Sequence, residues 1–151
     1  MIWRVRDWQV EKQITSIFKK STSTTSGLRL DWSPDGQFLV TANSMNNKCP
    51  SAQIIQRQSW DTKLDFVGHR KPITCVAFSK NLYQKAKNSE PYNCCAIASR
   101  DKSISIWTTE SPRPLVVLHE NFQESITDMS WWQNGLMVCS NDGSILHRVK
   151  R

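Results

Sequence analysis

Apolar and polar residues alternate along most of this chain, in short segments of roughly four to seven residues. Three segments share one pattern, with an apolar residue two positions before an aromatic one: 28–32, 75–78 and 127–131. A period of two is typical of a strand with one buried face. Turn-forming residues follow at 33–36, 100–102 and 141–143. With no helical period of comparable length, the pattern predicts an all-β chain.

The predicted strands fall into four units. The first unit is partial, with strands at 2–5 and 14–18. The second has strands at 28–32, 38–42, 52–57 and 63–66. The third has strands at 73–78, 94–99, 103–107 and 115–118, and the last has 126–132, 136–140 and 144–148.

The units repeat one another along the chain. Residues 2–8 align with 54–60, and 67–69 align with 117–119. Four short strands per unit, at a period near ~45 residues, indicate the blades of a β-propeller. We therefore expect one partial propeller over 1–151, about three four-stranded blades of a larger, seven-bladed ring. Its predicted units are a partial blade 1–18, a blade 26–67, a blade 68–118 with an insertion at 80–92, and an incomplete blade 119–151.

Composition narrows the class of protein. The chain has 151 residues and a formal net charge of +7, which favours an acidic partner such as nucleic acid or a protein close to it. It has no apolar run long enough to span a membrane, and charges near Met1 exclude a signal peptide. Five cysteines without paired spacing predict neither disulfides nor a metal site, and no motif predicts a cofactor. We expect an intracellular protein without a small-molecule substrate.

A His, an Asp and a Trp stand out in the third unit. His69 follows a glycine at the start of the unit, Asp101 lies in a predicted turn, and Trp107 ends a predicted strand. This combination resembles the WD-repeat family, which implies that the three side chains form a hydrogen-bonded network joining strand ends. The family's fourth member, a Ser or Thr four positions before the Asp, is Ile97 here. The resemblance therefore predicts an incomplete network.

The same pair also admits a catalytic interpretation. His69 and Asp101 could be two members of a hydrolase triad. No nucleophile motif accompanies them, and the five glycines form no phosphate-binding loop. The repeat explains the pair without catalysis, so we predict no enzyme activity.

Several segments resemble one family within the WD-repeat class. They are 33–36, 45–47, 52–55, 65–71, 113–117 and 138–140. Together they are similar to the WD-repeat region of the HIRA family, the histone regulator subunit of a replication-independent histone chaperone. The resemblance implies a nuclear chromatin-assembly factor linked to repression of histone genes and transcription. It also implies docking of a ubinuclein-type subunit, with histones bound indirectly through the complex. The alternative within this class is the WD-repeat subunit of the replication-coupled chromatin assembly factor, which 67–71 and 113–117 favour less.

The loops of the predicted blades form two rims, where binding residues are expected. One rim has loops 68–72, 100–102, 119–125 and 141–143, with 43–50 beside them. Its candidates for binding an acidic partner are Arg70, Lys71, Arg100 and Lys102. The alternative is ordinary solvated charge.

The opposite rim carries the insertion 80–92. Lys80, Lys85 and Lys87 stand there near Tyr83 and Tyr92. Basic residues among aromatics can bind nucleic acid through phosphate contacts and base stacking. A nucleic-acid-binding module is therefore the alternative function of another class, and a long loop without a ligand is the other interpretation of this segment.

Overall fold

A computed structural model describes residues 1–19, 21, 29–133 and 135–149. Over these residues the chain forms thirteen strands and one short 3-10 helix, Ser16–Phe18. No helix in the described part of the chain has the length and apolarity needed to cross a membrane. The strands are β1 Ile2–Arg4, β2 Gln9–Lys12, β3 Leu30–Trp32, β4 Phe38–Asn46, β5 Cys49–Gln56, β6 Thr62–Val67, β7 Ile73–Tyr83, β8 Tyr92–Ser99, β9 Ile104–Thr108, β10 Val116–Leu118, β11 Ile126–Trp132, β12 Gly135–Ser140 and β13 Ile145–Val149.

The strands form four separate sheets, and within each sheet strands that are neighbours in sequence pair antiparallel. The sheets are β1-β2, β3-β4-β5-β6, β7-β8-β9-β10 and β11-β12-β13. Consecutive antiparallel strands need only short turns, and a small meander of this kind is one propeller blade. The prediction of an all-β propeller fragment is confirmed.

The sheets are held together by apolar residues buried between neighbouring units. One cluster joins Val40, Ile54 and Phe66 of the second unit to Phe78 and Trp107 of the third. The rings of Phe66 and Trp107 stack with centroids 4.6 Å apart. The apolar faces of each unit are covered only by the neighbouring units, so the stability of the chain depends on the contacts between units.

A second cluster joins the third unit to the last. It brings Ala96 and Ile104 against Phe122, Leu136 and Val138. Strand β8 is buried along nearly its whole length because it contributes to both clusters, one on each face. This explains why 94–98 is a continuous apolar run with no alternation.

All five cysteines lie in described residues and carry thiols. Cys75, Cys94 and Cys95 are buried, as expected of small apolar side chains, whereas Cys49 is exposed. Burial raises the pKa of the Cys75 thiol to about 12. Cys75 therefore stays protonated at neutral pH and acts as part of the core.

The predicted strand at 14–18 is wrong. The chain turns back at once after β1, because Trp8 N–H donates to Arg4 O over 2.8 Å and Asp7 accepts from the Arg4 guanidinium. This tight turn brings Val10 opposite Trp3, so β2 forms earlier than predicted. Of the predicted strand 28–32, residue 28 lies outside the described residues, as do the start of the predicted unit 26–67 and the end of the unit 119–151.

Two predicted loops are largely strand. Strand β4 continues to Asn46 and β5 begins at Cys49, so 43–50 is a hairpin whose two turn residues have φ of 47° and 68°. Positive φ at both positions is the two-residue turn that matches strand twist. Likewise β7 runs to Tyr83 and β8 starts at Tyr92, where the two tyrosine rings stack 5.9 Å apart. The predicted insertion 80–92 is therefore a hairpin with a loop at 84–91.

Candidate functional site

The turn between β8 and β9 is organised by one carboxylate. Asp101 Oδ1 accepts a hydrogen bond from the Ser103 N–H at 3.0 Å. Asp101 Oδ2 accepts from the Arg70 N–H at 2.8 Å. Asp101 thus fixes its own turn and ties it to the loop 68–72 that enters β7. Asp and Asn side chains favour such turns because they can accept from backbone N–H groups two residues on.

A chain of side-chain hydrogen bonds runs from this turn into the core. Trp107 Nε1 donates to Ser105 Oγ at 2.6 Å, and Ser105 Oγ lies 2.8 Å from His69 Nε2. His69 Nδ1 lies 2.9 Å from Ser103 Oγ, and the Ser103 hydroxyl donates to Asp101. His69 Nδ1 is also 3.3 Å from Asp101 Oδ2.

The donors in this chain all point the same way. Trp107 can only donate, and an ionised Asp101 can only accept. His69 therefore donates from Nδ1 toward Ser103 and Asp101 and accepts at Nε2 from the Ser105 hydroxyl. Every polar group in this hydrogen-bonded network has a partner, which is the condition for a buried polar network to stabilise a fold.

The expectation of an incomplete network is wrong, because Ser105 supplies the missing hydroxyl. Ser105 stands two residues before Trp107, so both side chains lie on the same face of β9. Ile97 on β8 is the residue that pairs with Ser105 across the sheet. The hydroxyl is therefore on the neighbouring strand of the same ladder, and Ile97 is fully buried in the apolar cluster.

The charge state of Asp101 follows from its bonds. Burial alone would raise the pKa of this carboxyl, but hydrogen bonds from His69, Ser103 and the Arg70 N–H outweigh burial. They hold the pKa of Asp101 well below its usual range. Asp101 is therefore ionised at neutral pH and anchors the acceptor end of the chain.

Ser105, His69 and Asp101 are arranged in the order of a serine hydrolase triad. The nucleophile position is closed to solvent, since Ser105 is 2% exposed and His69 6%. Ser105 Oγ also already accepts from Trp107. A substrate carbonyl has no access to this hydroxyl, so the arrangement joins strand ends.

The last unit repeats the turn. Asp142 accepts from the Ser144 N–H and from the Gln123 N–H, each at 2.8 Å. Hydrogen bonds from the Ser144 hydroxyl and N–H lower the pKa of Asp142. The loop 119–125 is thereby tied to the turn at 141–143 as the loop 68–72 is tied to the turn at 100–102.

A cleft opens on this rim between the third and last units. Its volume is about 640 Å³, and its lining includes Arg70, Lys102, His119 and Phe122. Of the four candidate cations, Arg70, Lys71 and Arg100 are exposed and Lys102 is half-buried. Only two of the four line the cleft. None of them pairs with a carboxylate among the described residues.

The candidate lysines of the opposite rim differ from the four cations of the first rim, because two of the three have a carboxylate nearby. Lys80 lies in β7 with its Nζ 3.7 Å from Asp31, and Lys85 pairs with Glu110 at 2.7 Å. Lys85 also lies over the Tyr92 ring, 5.8 Å from its centroid. Lys87 forms no ion pair with any described residue. Two of the three candidate nucleic-acid contacts thus already lie beside a carboxylate of this chain.

Sequence reasoning missed a second cleft of about 350 Å³, where the first two units meet. It is lined by Trp3, Trp32 and Trp60, among others, and the Arg57 guanidinium lies 5.4 Å from the centroid of the Trp32 ring. Trp60, which lines the cleft, has a positive φ of 59°. Trp8, its counterpart in the alignment of 2–8 with 54–60, has φ of 54°. The shared Trp was the available signal, but its backbone conformation was not readable from the sequence.

The repeated antiparallel blades and the His–Ser–Trp network define a WD-repeat propeller protein. The family described as WD domain, G-beta repeat, matches residues 13–49 and 60–108.

Relatives of known name extend the match to nearly the whole chain. Protein HIRA of Homo sapiens is 52% identical over 94% of this chain, and the Drosophila melanogaster homologue is 48% identical over 92%. Protein hir1 of Schizosaccharomyces pombe is 37% identical over 96%. The chain belongs to the HIRA family. It spans about 15% of the length of these relatives.

Proposed function

We propose that this chain is part of a protein-interaction scaffold in a HIRA-like histone chaperone complex. The complex would act in the nucleus, in replication-independent chromatin assembly and in repression of histone genes and transcription. The observation that carries the proposal is the match to HIRA proteins from vertebrates, fly and yeast over more than nine-tenths of the chain. That the relatives carry HIRA names favours this complex over the replication-coupled chromatin assembly factor.

The proposed binding surface is the rim formed by the turns 68–72 and 100–102. Its backbone is fixed from beneath, because Asp101 holds the Arg70 N–H and Ser99 Oγ donates to the Lys71 carbonyl at 2.8 Å. A fixed backbone presents Arg70, Lys71, Arg100 and Lys102 without a large ordering cost on binding. The partner we propose for this surface is the ubinuclein-type subunit, with histones and chromatin contacted through the complex.

We propose no catalytic role. The arrangement of Ser105, His69 and Asp101 is sealed, with Ser105 2% exposed. In the same residues no group of three or more His, Cys, Asp or Glu side chains is placed to hold a metal ion. Binding through loops on a rigid β-scaffold needs neither.

The test is affinity capture from nuclear extract with the tagged chain. We expect the ubinuclein-type subunit to be retained, and a variant with Arg70→Glu and Lys102→Glu to retain less of it. Capture of the replication-coupled factor's subunits in its place would overturn the assignment to this complex. Retention of nucleic acid alone, sensitive to nuclease and to salt, would favour the nucleic-acid-binding alternative.

A further inference from the structure

The cleft between the third and last units has two walls that are both fixed. One wall is the loop at Arg70, whose N–H donates to Asp101 at 2.8 Å. The other is the loop at Gln123, whose N–H donates to Asp142 at 2.8 Å. Because the same carboxylate–backbone bond holds each wall to the turn beside it, the cleft exists before any ligand binds. Preformed sites of this size, within roughly 300–1,000 Å³, are typical of ligand-binding pockets.

Positive charge is concentrated on the first wall. The turns 68–72 and 100–102 together carry four cations and one carboxylate. That carboxylate, Asp101, is engaged by the Arg70 N–H and the Ser103 N–H. Arg70 and Lys102 line the cleft and form no ion pair with any described residue. An anionic group bound here would therefore gain partners without breaking an existing pair.

The second wall is different in character. Phe122 contributes a small apolar surface to the cleft, next to His119 and Glu120. Phe122 is 5% exposed and packs in the core cluster, so its ring is held in place. A ligand that fits both walls has an apolar side chain against Phe122 and acidic groups toward Arg70 and Lys102.

A peptide matches this arrangement better than a nucleic acid does. Glu120 lies on the cleft wall close to Phe122, where a phosphate backbone carries a charge at every nucleotide but a peptide can place its apolar residue. The apolar wall at Phe122 also offers less to a phosphate chain than to an aliphatic side chain. A peptide alternates charged and apolar side chains, so it can satisfy both walls.

We infer that this cleft binds an acidic peptide segment of a partner protein, with an apolar side chain on Phe122 and carboxylates on Arg70 and Lys102. The inference rests on the proposed scaffold function and specifies the chemistry of its partner.

The test is fluorescence anisotropy with the full chain and a short labelled peptide in which one leucine stands between two runs of aspartate. Arg70→Glu with Lys102→Glu should raise the Kd roughly tenfold or more, because each charge reversal replaces an attraction by a repulsion. Glu120→Gln should strengthen binding by removing the like charge. Arg113→Glu, an exposed arginine on the opposite rim, is the matched control and should leave the Kd unchanged. Circular dichroism of each variant checks the fold.

The ligand provides further controls. Replacing the leucine of the peptide by asparagine should weaken binding, because the contact with Phe122 is lost. Equal loss with Arg113→Glu, or no effect of Glu120→Gln, would overturn the inference. So would labelled oligothymidine binding more tightly than the peptide with the same dependence on Arg70 and Lys102. If the peptide fails to bind while the ubinuclein-type subunit is still captured from extract, the cleft assignment is wrong and the scaffold function stands.

Discussion

Phe122 occupies in the last unit the place that His69 occupies in the third, so the alignment of 67–69 with 117–119, which placed His119 there, is wrong. Each precedes a residue whose N–H donates at 2.8 Å to the Asp of the next turn, Arg70 to Asp101 and Gln123 to Asp142. His69 bonds to Ser105, whereas Phe122 packs against a cluster that includes Leu146. The two units thus share one backbone arrangement, which holds the polar pair His69 and Ser105 in the third unit and the apolar pair Phe122 and Leu146 in the last.

Removing the Ser105 hydroxyl of the polar pair should lower the free energy of unfolding. Ser105→Ala leaves the buried Trp107 Nε1 and His69 Nε2 without their partner. An unsatisfied buried polar group costs about 1–3 kcal/mol, so we expect a loss of that order or more in the free energy of unfolding. Urea denaturation followed by tryptophan fluorescence measures it.

The control for this change is Ser130→Ala, since Ser130 is exposed on β11. Surface substitutions of this kind usually stay within about 0.5 kcal/mol. Equal stability of the Ser105 and Ser130 variants would contradict the network.

The apolar pair Phe122 and Leu146 leads to the converse prediction. Phe122→His places a polar ring where Leu146 cannot bond to it, and we expect destabilisation by about 1–3 kcal/mol. A second change, Leu146→Ser, restores a hydroxyl at the position equivalent to Ser105. In thermal denaturation, the double variant should lose less stability than the sum of the two single variants. Simple additivity would show that the two units are not equivalent.

The stability of the chain should depend on acid through Asp101. Its pKa is lowered on folding, so the unfolded chain binds the proton more readily than the folded one. This contribution is complete above the ordinary carboxyl pKa of about 3.9, and it is lost as the pH falls below that value. Asp101→Asn should therefore lower the denaturant concentration at the unfolding midpoint at neutral pH. It should also make the stability of the chain decrease less steeply as the pH falls into the acid range.

Chemical denaturation at neutral pH and then from about pH 5 down to about pH 1, the range over which the stability contribution of such a carboxyl is lost, measures this effect. Asp142 keeps its own lowered pKa in the variant, so part of the acid dependence remains. Asp61→Asn, which changes an exposed carboxyl in the connection between β5 and β6, is the matched control. A variant curve parallel to that of the parent chain would contradict the role of Asp101.

The contact between the second and third units should carry much of their stability. Phe66 is 1% exposed and stacks on Trp107 of the next unit. Phe66→Ala should cost about 3–5 kcal/mol by leaving a cavity between the sheets, with both units affected together. Leu30→Ala, at a site 56% exposed, is the control. Hydrogen exchange that rises in β4–β6 and leaves β7–β10 unchanged would show that the units are independent.

The strands and turns were predictable where local chemistry is distinctive. Alternation located most strands to within a few residues, and Gly68-His69, Asp101 and Trp107 indicated the unit type. Spacing places Ser105 on the same strand face as Trp107, but that its hydroxyl stands in for the one absent at Ile97 depends on the cross-strand pairing of these two residues, which the sequence does not reveal. The cleft at Phe122 was missed for a similar reason, since it forms between two units. The pairing of Lys80 with Asp31 depends on packing between two units, and that of Lys85 with Glu110 depends on the position of the loop 84–91, so neither could be predicted from the sequence.

The most direct test of the scaffold function is titration calorimetry of the purified chain with the purified ubinuclein-type subunit, free of nucleic acid. The account predicts saturable binding that is weakened by Arg70→Glu with Lys102→Glu and unchanged by Arg113→Glu. No heat of binding with a folded chain, together with tight and steeply salt-dependent binding to DNA, would contradict it.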